Sequence, residues 1–294
     1  MELTALPLLE KSDETFQIKD MTPRVFCDLL DFRKALVLKN NDAPFSVEDF
    51  GSLLMKLNLT YYPYIGGAAP RTNIPVQASP NECIVFTANE SPPEEPIPFH
   101  HEIAQVAEPP TYVFFYCDIA AKKGGQTPII DSTKVYRYVK NHHPKFLDKL
   151  MQHGVRYIRT LPPKDDPSSP LGRSYQNSWN ISSPEELNDR LSEIDGCEWK
   201  WHDNGNVTII SEPIPAIRFV GNSPTQNFIH QGTFCNSLVA AFLGWQDSRN
   251  DRLKSLKFGN NDEMEWNVLQ DIADYMKEHR VLYNWEHGDI LASN

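Results

Sequence analysis

Prolines set the strongest limit on what this chain can fold into. Twenty-three of them are spread over 294 residues. Each fixes φ and removes a backbone donor, so it disrupts a helix interior and is kept out of central strands. That is too many for a mainly helical bundle, and it calls for frequent turns and strand ends. The predicted fold class is mainly β with peripheral helices. No repeat, low-complexity tract or clear linker divides residues 1–294, which read as one domain.

Local signals place the elements. In "MTPRVFCDLLDFRKAL", Thr22 is a candidate N-cap and Pro23 suits the first helical position. In "FSVEDFGSLLMKL", Ser46 and Asp49 have capping-box spacing. "DSTKVYRYVKNHHPKFLDKLMQHG" predicts two helices broken at Pro144 and ended by Gly154. Ser183, Pro184 and Glu186 open a further helix, with Gly196 as its end. Met264, Val268, Ile272 and Met276 recur every four residues, the stripe of an amphipathic helix. "PTYVFFYCDIA" reads as a buried strand. Asn204-Gly205 predicts a hairpin turn. "AIRFV" and "TFCNSLVAAF" read as strands, the second partly helical.

Charge and cysteine use narrow the function classes. Twenty-eight basic against 39 acidic residues leave a formal charge of −11. No basic stripe is present, so nucleic acid and anionic membranes are not expected partners. The N-terminus, with Glu2 and a very short apolar run, does not read as a signal peptide. No apolar stretch is long enough to span a bilayer. Cys27, Cys83, Cys117, Cys197 and Cys235 are odd in number, widely spaced and without a CxxC. The expectation is a reduced, cytoplasmic protein without zinc-finger ligation.

One stretch carries chemistry. "PIPFHHEIAQVAEPP" holds His100 and Glu102 two residues apart between prolines. On a strand, i and i+2 share a face, so an imidazole and a carboxylate could aim at one ion. His101 would then face the other way. A histidine and a carboxylate are two members of the 2-His-1-carboxylate triad of non-haem Fe(II). The competing reading is an ordinary hydrogen-bonded histidine, because the spacing also arises by chance. A second pair, His287-Gly288-Asp289, reads as a structural turn entering the strand "ILASN". In "YYPYIGGAAPRTNIP", Gly66-Gly67 permits a tight approach, and Arg71 is either an anion contact or a solvated loop residue.

Several blocks, in order, resemble taurine dioxygenase-like and clavaminate synthase-like oxygenases. These are "VFTANESPPEEPIPFHHEIAQ", "AAKKGGQTPIIDSTKVY", "HGVRYIRTLP", "QGTFCNSLVAAFLGW", "LKFGNNDEM" and "VLYNWEHGDILASN". The similarity runs from about residue 60 to the C-terminus. It implies a double-stranded β-helix, or jelly roll, acting as an Fe(II)- and 2-oxoglutarate-dependent oxygenase. It implies His100 and Glu102 as iron ligands and Thr127 as a contact to 2-oxoglutarate. In such chemistry the oxoacid loses CO₂, O₂ is activated, and an unactivated C–H bond of a small molecule is oxidised.

In the family a strand, the distal histidine and then an oxoacid-binding arginine follow the Gly-Asp turn. On that pattern both residues lie beyond Asn294, and the last jelly-roll strands are expected to be missing, leaving a strand edge open. His230 in "NFIHQGTF" is the one internal candidate for a third ligand, weighed against a loop histidine. Two other readings stand beside the oxygenase: a silent jelly-roll binding protein, and a cupin-type metal hydrolase.

Overall fold

The computed structural model describes residues 3–8, 16–18, 22–40, 42–67, 69, 71–79, 84–88, 90, 96–220 and 231–294. Its first strands are β1 (Leu3–Pro7), β2 (Phe16–Ile18), β3 (Ala35–Asn40), β4 (Val113–Tyr116) and β5 (Thr127–Ile129). Then come β6 (Val155–Leu161), β7 (Glu198–Trp201), β8 (Val207–Ile210) and β9 (Arg218–Val220). The last are β10 (Gln231–Thr233), β11 (Leu256–Phe258), β12 (Val281–Tyr283) and β13 (Ile290–Ser293). The helices begin with α1 (Pro23–Arg33), α2 (Val47–Leu57), α3 (Ser132–His142) and α4 (Pro144–His153). They continue with α5 (Tyr175–Trp179), α6 (Pro184–Ser192), α7 (Leu238–Gly244) and α8 (Trp266–Glu278).

More of the described residues lie in helices than in strands, which corrects the mainly-β expectation. The reason is where the prolines sit. Pro23, Pro144 and Pro184 occupy first-turn positions of α1, α4 and α6, where a missing N–H costs nothing. The proline total, weighed against a helical fold, therefore does not measure helix content. The caps behave as their sequences predict. Thr22 accepts from the Val25 N–H, and Ser46 and Asp49 close a full capping box. Ser183 caps α6, while Glu186 reaches back to the Ser182 N–H at 2.8 Å.

All strand pairs are antiparallel. One sheet runs β2-β1-β3-β13-β4 and another β11-β6-β8-β7, and β9–β10 and β5–β12 form two-stranded ribbons. These four separate sheets do not by themselves trace a continuous jelly roll. The β7–β8 hairpin turns at Gly205, whose φ is +81°. "TFCNSLVAAF" splits into the end of β10 and the helix α7, because its apolar run is too long for the short ribbon and packs as a helix.

The five-stranded sheet shows how the period of two divides its faces. On one face Phe114 stacks on Phe26 of α1, with ring centroids 5.9 Å apart, and Tyr116 on Phe50 of α2 at 5.5 Å. Leu36, Leu38, Ile290 and Ala292 complete that core. The alternate residues Val113, Phe115, Leu291 and Ser293 turn to a cavity of about 1940 Å³. β4 is therefore half-buried, where the sequence predicts a buried strand. A second core joins α3, α4, α7 and α8 to β6 and β11. Residues of α5 and α6 pack with β8 in a third.

Candidate functional site

His100 and Glu102 lie in an irregular segment that enters a turn, not on the strand the spacing suggests. Their convergence has a different origin. Ile103 adopts a left-handed φ of +51° and is buried, which curls the backbone just after Glu102. The His101 N–H donates to the Asn236 carbonyl at 3.2 Å, and the Ser237 hydroxyl donates to the His101 carbonyl at 3.4 Å. Those two residues are fixed in turn: Asn236 Nδ2 donates to Ala216 O, and the Ser237 N–H to the Tyr157 hydroxyl. The ligand-like pair thus hangs from the segment leading into α7.

The His100 ring is oriented by its own loop. Nδ1 lies 2.8 Å from the Pro98 carbonyl. A carbonyl can only accept, so Nδ1 carries a proton and Nε2 is the nitrogen left for another partner. Nε2 faces Glu102 Oε2 at 3.7 Å. The separation is too long for a hydrogen bond. It is within the reach of two donors that each sit about 2.0–2.2 Å from one ion. The other oxygen, Oε1, lies 3.5 Å from Arg71 Nη2. Burial alone would lower the His100 pKa, but the Glu102 carboxylate raises it on balance. Burial pushes Glu102 up, and His100 with Arg71 brings it down overall. His101 differs: burial drives its imidazole down to about 4, so it stays neutral. It supplies the backbone anchor while His100 supplies the free nitrogen.

Thr127 lines the same cavity from β5. It follows two glycines with φ of +73° and +74°, and a Cβ on Gly125 would meet that of Ala121 at 2.6 Å. Only this pair allows the turn that delivers Thr127. The Trp285 indole N–H donates to its hydroxyl oxygen at 2.8 Å. Trp285 is a wall residue of the cavity, and nothing in its local sequence marks it as such. Phe115, Leu291 and Trp245 add apolar surface.

Arg71 is 15 % exposed in its side chain and turned toward Glu102, so it is not a solvated loop residue. His287 and Asp289 are elsewhere: neither lines the cavity. His230 lies outside the described residues. Among the described residues, no third histidine, cysteine or acid joins His100 and Glu102 in a metal-holding group. Cys27, Cys117, Cys197 and Cys235 are unpaired. No described helix is long and apolar enough to cross a membrane.

The profile of the TauD/TfdA family, described as taurine catabolism dioxygenase, matches residues 13–294. The chain belongs to the TauD/TfdA family. This family consists of Fe(II)- and 2-oxoglutarate-dependent dioxygenases. A clavaminate synthase-like protein of Arabidopsis thaliana is a relative at 36 % identity over 287 residues. That match covers 98 % of this chain and 83 % of the plant protein. The dapdiamide synthesis protein DdaC of Enterobacter agglomerans is 28 % identical over 219 residues, 71 % of this chain and 62 % of that protein.

Proposed function

We propose that this TauD/TfdA family member oxidises a small molecule, with His100 and Glu102 holding Fe(II) and Thr127 binding 2-oxoglutarate. The observation that carries the reading is the pair itself. An imidazole nitrogen with no hydrogen-bonded partner faces a carboxylate oxygen at 3.7 Å in a large cavity. A neutral imidazole and a carboxylate are the donors this iron takes, so the two residues fit the ion. Bound iron, with the oxoacid, supplies O₂ activation and C–H oxidation.

The chain's own groups do the rest. Pro98 holds His100 in the tautomer that donates through Nε2. At Thr127, Trp285 occupies a lone pair of the hydroxyl oxygen, which leaves the O–H to donate to an oxoacid carboxylate. The apolar walls from Phe115, Leu291 and Trp245 favour a carbon skeleton and shed water around it. The jelly-roll reading belongs to this proposal. Its support is that the antiparallel pair β4–β13, and β5 from the antiparallel β5–β12 ribbon, contribute to the cavity wall. With it goes the reading of residues 1–294 as one catalytic domain.

The test is anaerobic titration with Fe(II), then 2-oxoglutarate, followed by succinate formation on admitting O₂ with a panel of small substrates. Stoichiometric iron binding and iron-dependent succinate are expected. Folded protein that binds neither iron nor oxoacid overturns the reading. A second reading, a silent binding protein, draws on the two-residue donor set among the described residues. It predicts small-molecule binding with no succinate.

A further inference from the structure

We infer that Arg71 is a positioning residue that keeps Glu102 on the metal through one oxygen only. This rests on the metal reading above. The guanidinium is fixed before it meets Glu102. Its Nη1 donates to the carbonyls of Thr87, at 2.9 Å, and Ala88. Its plane lies over the Tyr64 ring, 4.9 Å from the centroid. Tyr64 is itself clamped on another side by Arg173, at 4.7 Å. From this anchored position Nη2 faces Glu102 Oε1 at 3.5 Å, while Oε2 faces His100 at 3.7 Å. The two carboxylate oxygens therefore have separate partners of opposite kind, a fixed cation and a ligand-like nitrogen.

That division matters for the coordination count. A carboxylate left free can bind a cation through one oxygen or two. The oxoacid and O₂ would need positions on the ion that no protein group fills. Glu102 binding through both oxygens would close one of these. A charge-assisted contact on Oε1 opposes that rotation. Lysine at the same place could not contact both backbone carbonyls and Glu102 with a planar fork.

The experiment uses Co(II) as a spectroscopic probe on the full 294-residue chain, with R71Q, R71K and R173Q. Co(II) affinity and visible d–d absorption are followed with and without 2-oxoglutarate, and circular dichroism checks folding. R71Q frees Oε1 to bind, so its Co(II) d–d spectrum before oxoacid is added is expected to shift from the wild type's. Its d–d spectrum should respond less to the oxoacid than the wild type's does. R71K should fall between the two, and it decides the matter if R71Q fails to fold. R173Q removes a guanidinium beside Tyr64 without touching Glu102, and should keep wild-type affinity and spectrum. Wild-type affinity and spectrum in folded R71Q or R71K overturn the inference. So does an equal change in R173Q, which would trace the effect to Tyr64 packing. A folded wild-type chain that binds no Co(II) overturns the metal reading itself, and this inference with it.

Discussion

Two stretches of this chain share one pattern, a histidine followed two residues later by an acid, and their surroundings separate them. Around Asp289 every acceptor is engaged. Its side chain takes the Tyr283 hydroxyl at 2.6 Å, the Glu286 N–H at 2.8 Å and the Lys39 ammonium at 3.3 Å. It is 3 % exposed. Burial, then the Asp289 carboxylate, pushes the Tyr283 phenol far above its usual range. His287 is spent on the Asp118 carbonyl at 2.6 Å. Around Glu102, by contrast, one oxygen meets a cation and the other faces a nitrogen too distant for a hydrogen bond. The first pair holds a turn shut; the second leaves donor capacity facing open space. Spacing is common to both. Unsatisfied bonding capacity is what distinguishes the candidate site from the staple.

The largest expected effect tests the open pair. H100A or E102A should lower Fe(II) affinity by at least about 100-fold, more than the loss of an orienting group costs. Isothermal titration under anaerobic conditions measures it. If both variants bind iron as tightly as the wild type, the contrast collapses.

Next comes the closed pair. D289A strands a half-buried phenol and leaves Lys39 without one of its carboxylates. Removing one partner of a buried pair costs about 3–5 kcal/mol. The Lys39 side chain is 30 % exposed, so a smaller loss of about 2 kcal/mol is expected. Thermal unfolding should shift down by about 4–8 °C. Protein that stays folded should retain metal affinity. An undiminished Tm would show that the turn does not depend on this acid.

Asp131 extends the closed class to a pH test. It caps α3 through Thr133 and pairs with Lys34 at 2.8 Å. Burial raises its pKa, yet the bonds to Lys34 and Thr133 lower it overall. A lowered folded pKa stabilises above the unfolded value, about 3.9. That contribution is lost as pH falls through the folded value. D131N should cost about 1 kcal/mol at neutral pH. It should also flatten the fall in stability below about pH 4. Urea midpoints at pH 7 and at acid pH would reveal parallel curves if the acid contributes nothing.

The smallest effect belongs to His287. H287A removes one exposed hydrogen bond, and a change within about 1 kcal/mol is expected. Iron affinity should be untouched. A metal-binding defect here would erase the distinction between the two pairs.

Much of the local structure was legible because its causes are local. Thr22, Ser46 and Ser183 cap the helices their spacing predicts, since capping involves residues only three positions apart. Gly205 turns the hairpin because a left-handed position needs glycine. The family resemblance pointed to His100, Glu102 and Thr127, and it drew on ordered blocks rather than on any one of them. The sequence reading failed where long-range packing decided. The total of 23 prolines was weighed against helix, although Pro23, Pro144 and Pro184 each open one. His100 and Glu102 converge through a left-handed Ile103 and anchors at Asn236 and Ser237, not through strand periodicity.

The sequence by itself determined helix starts and the hairpin, because these depend on neighbours along the chain, and it supplied the candidate donors His100 and Glu102. Only the tertiary structure decided which H-x-acid pair is open. It brought Arg71 to Glu102 and Trp285 to Thr127, contacts 31 and 158 residues apart. No local propensity encodes such pairings. They follow from how the sheets and helices pack around one cavity, and that packing minimises the exposed apolar surface of the whole chain.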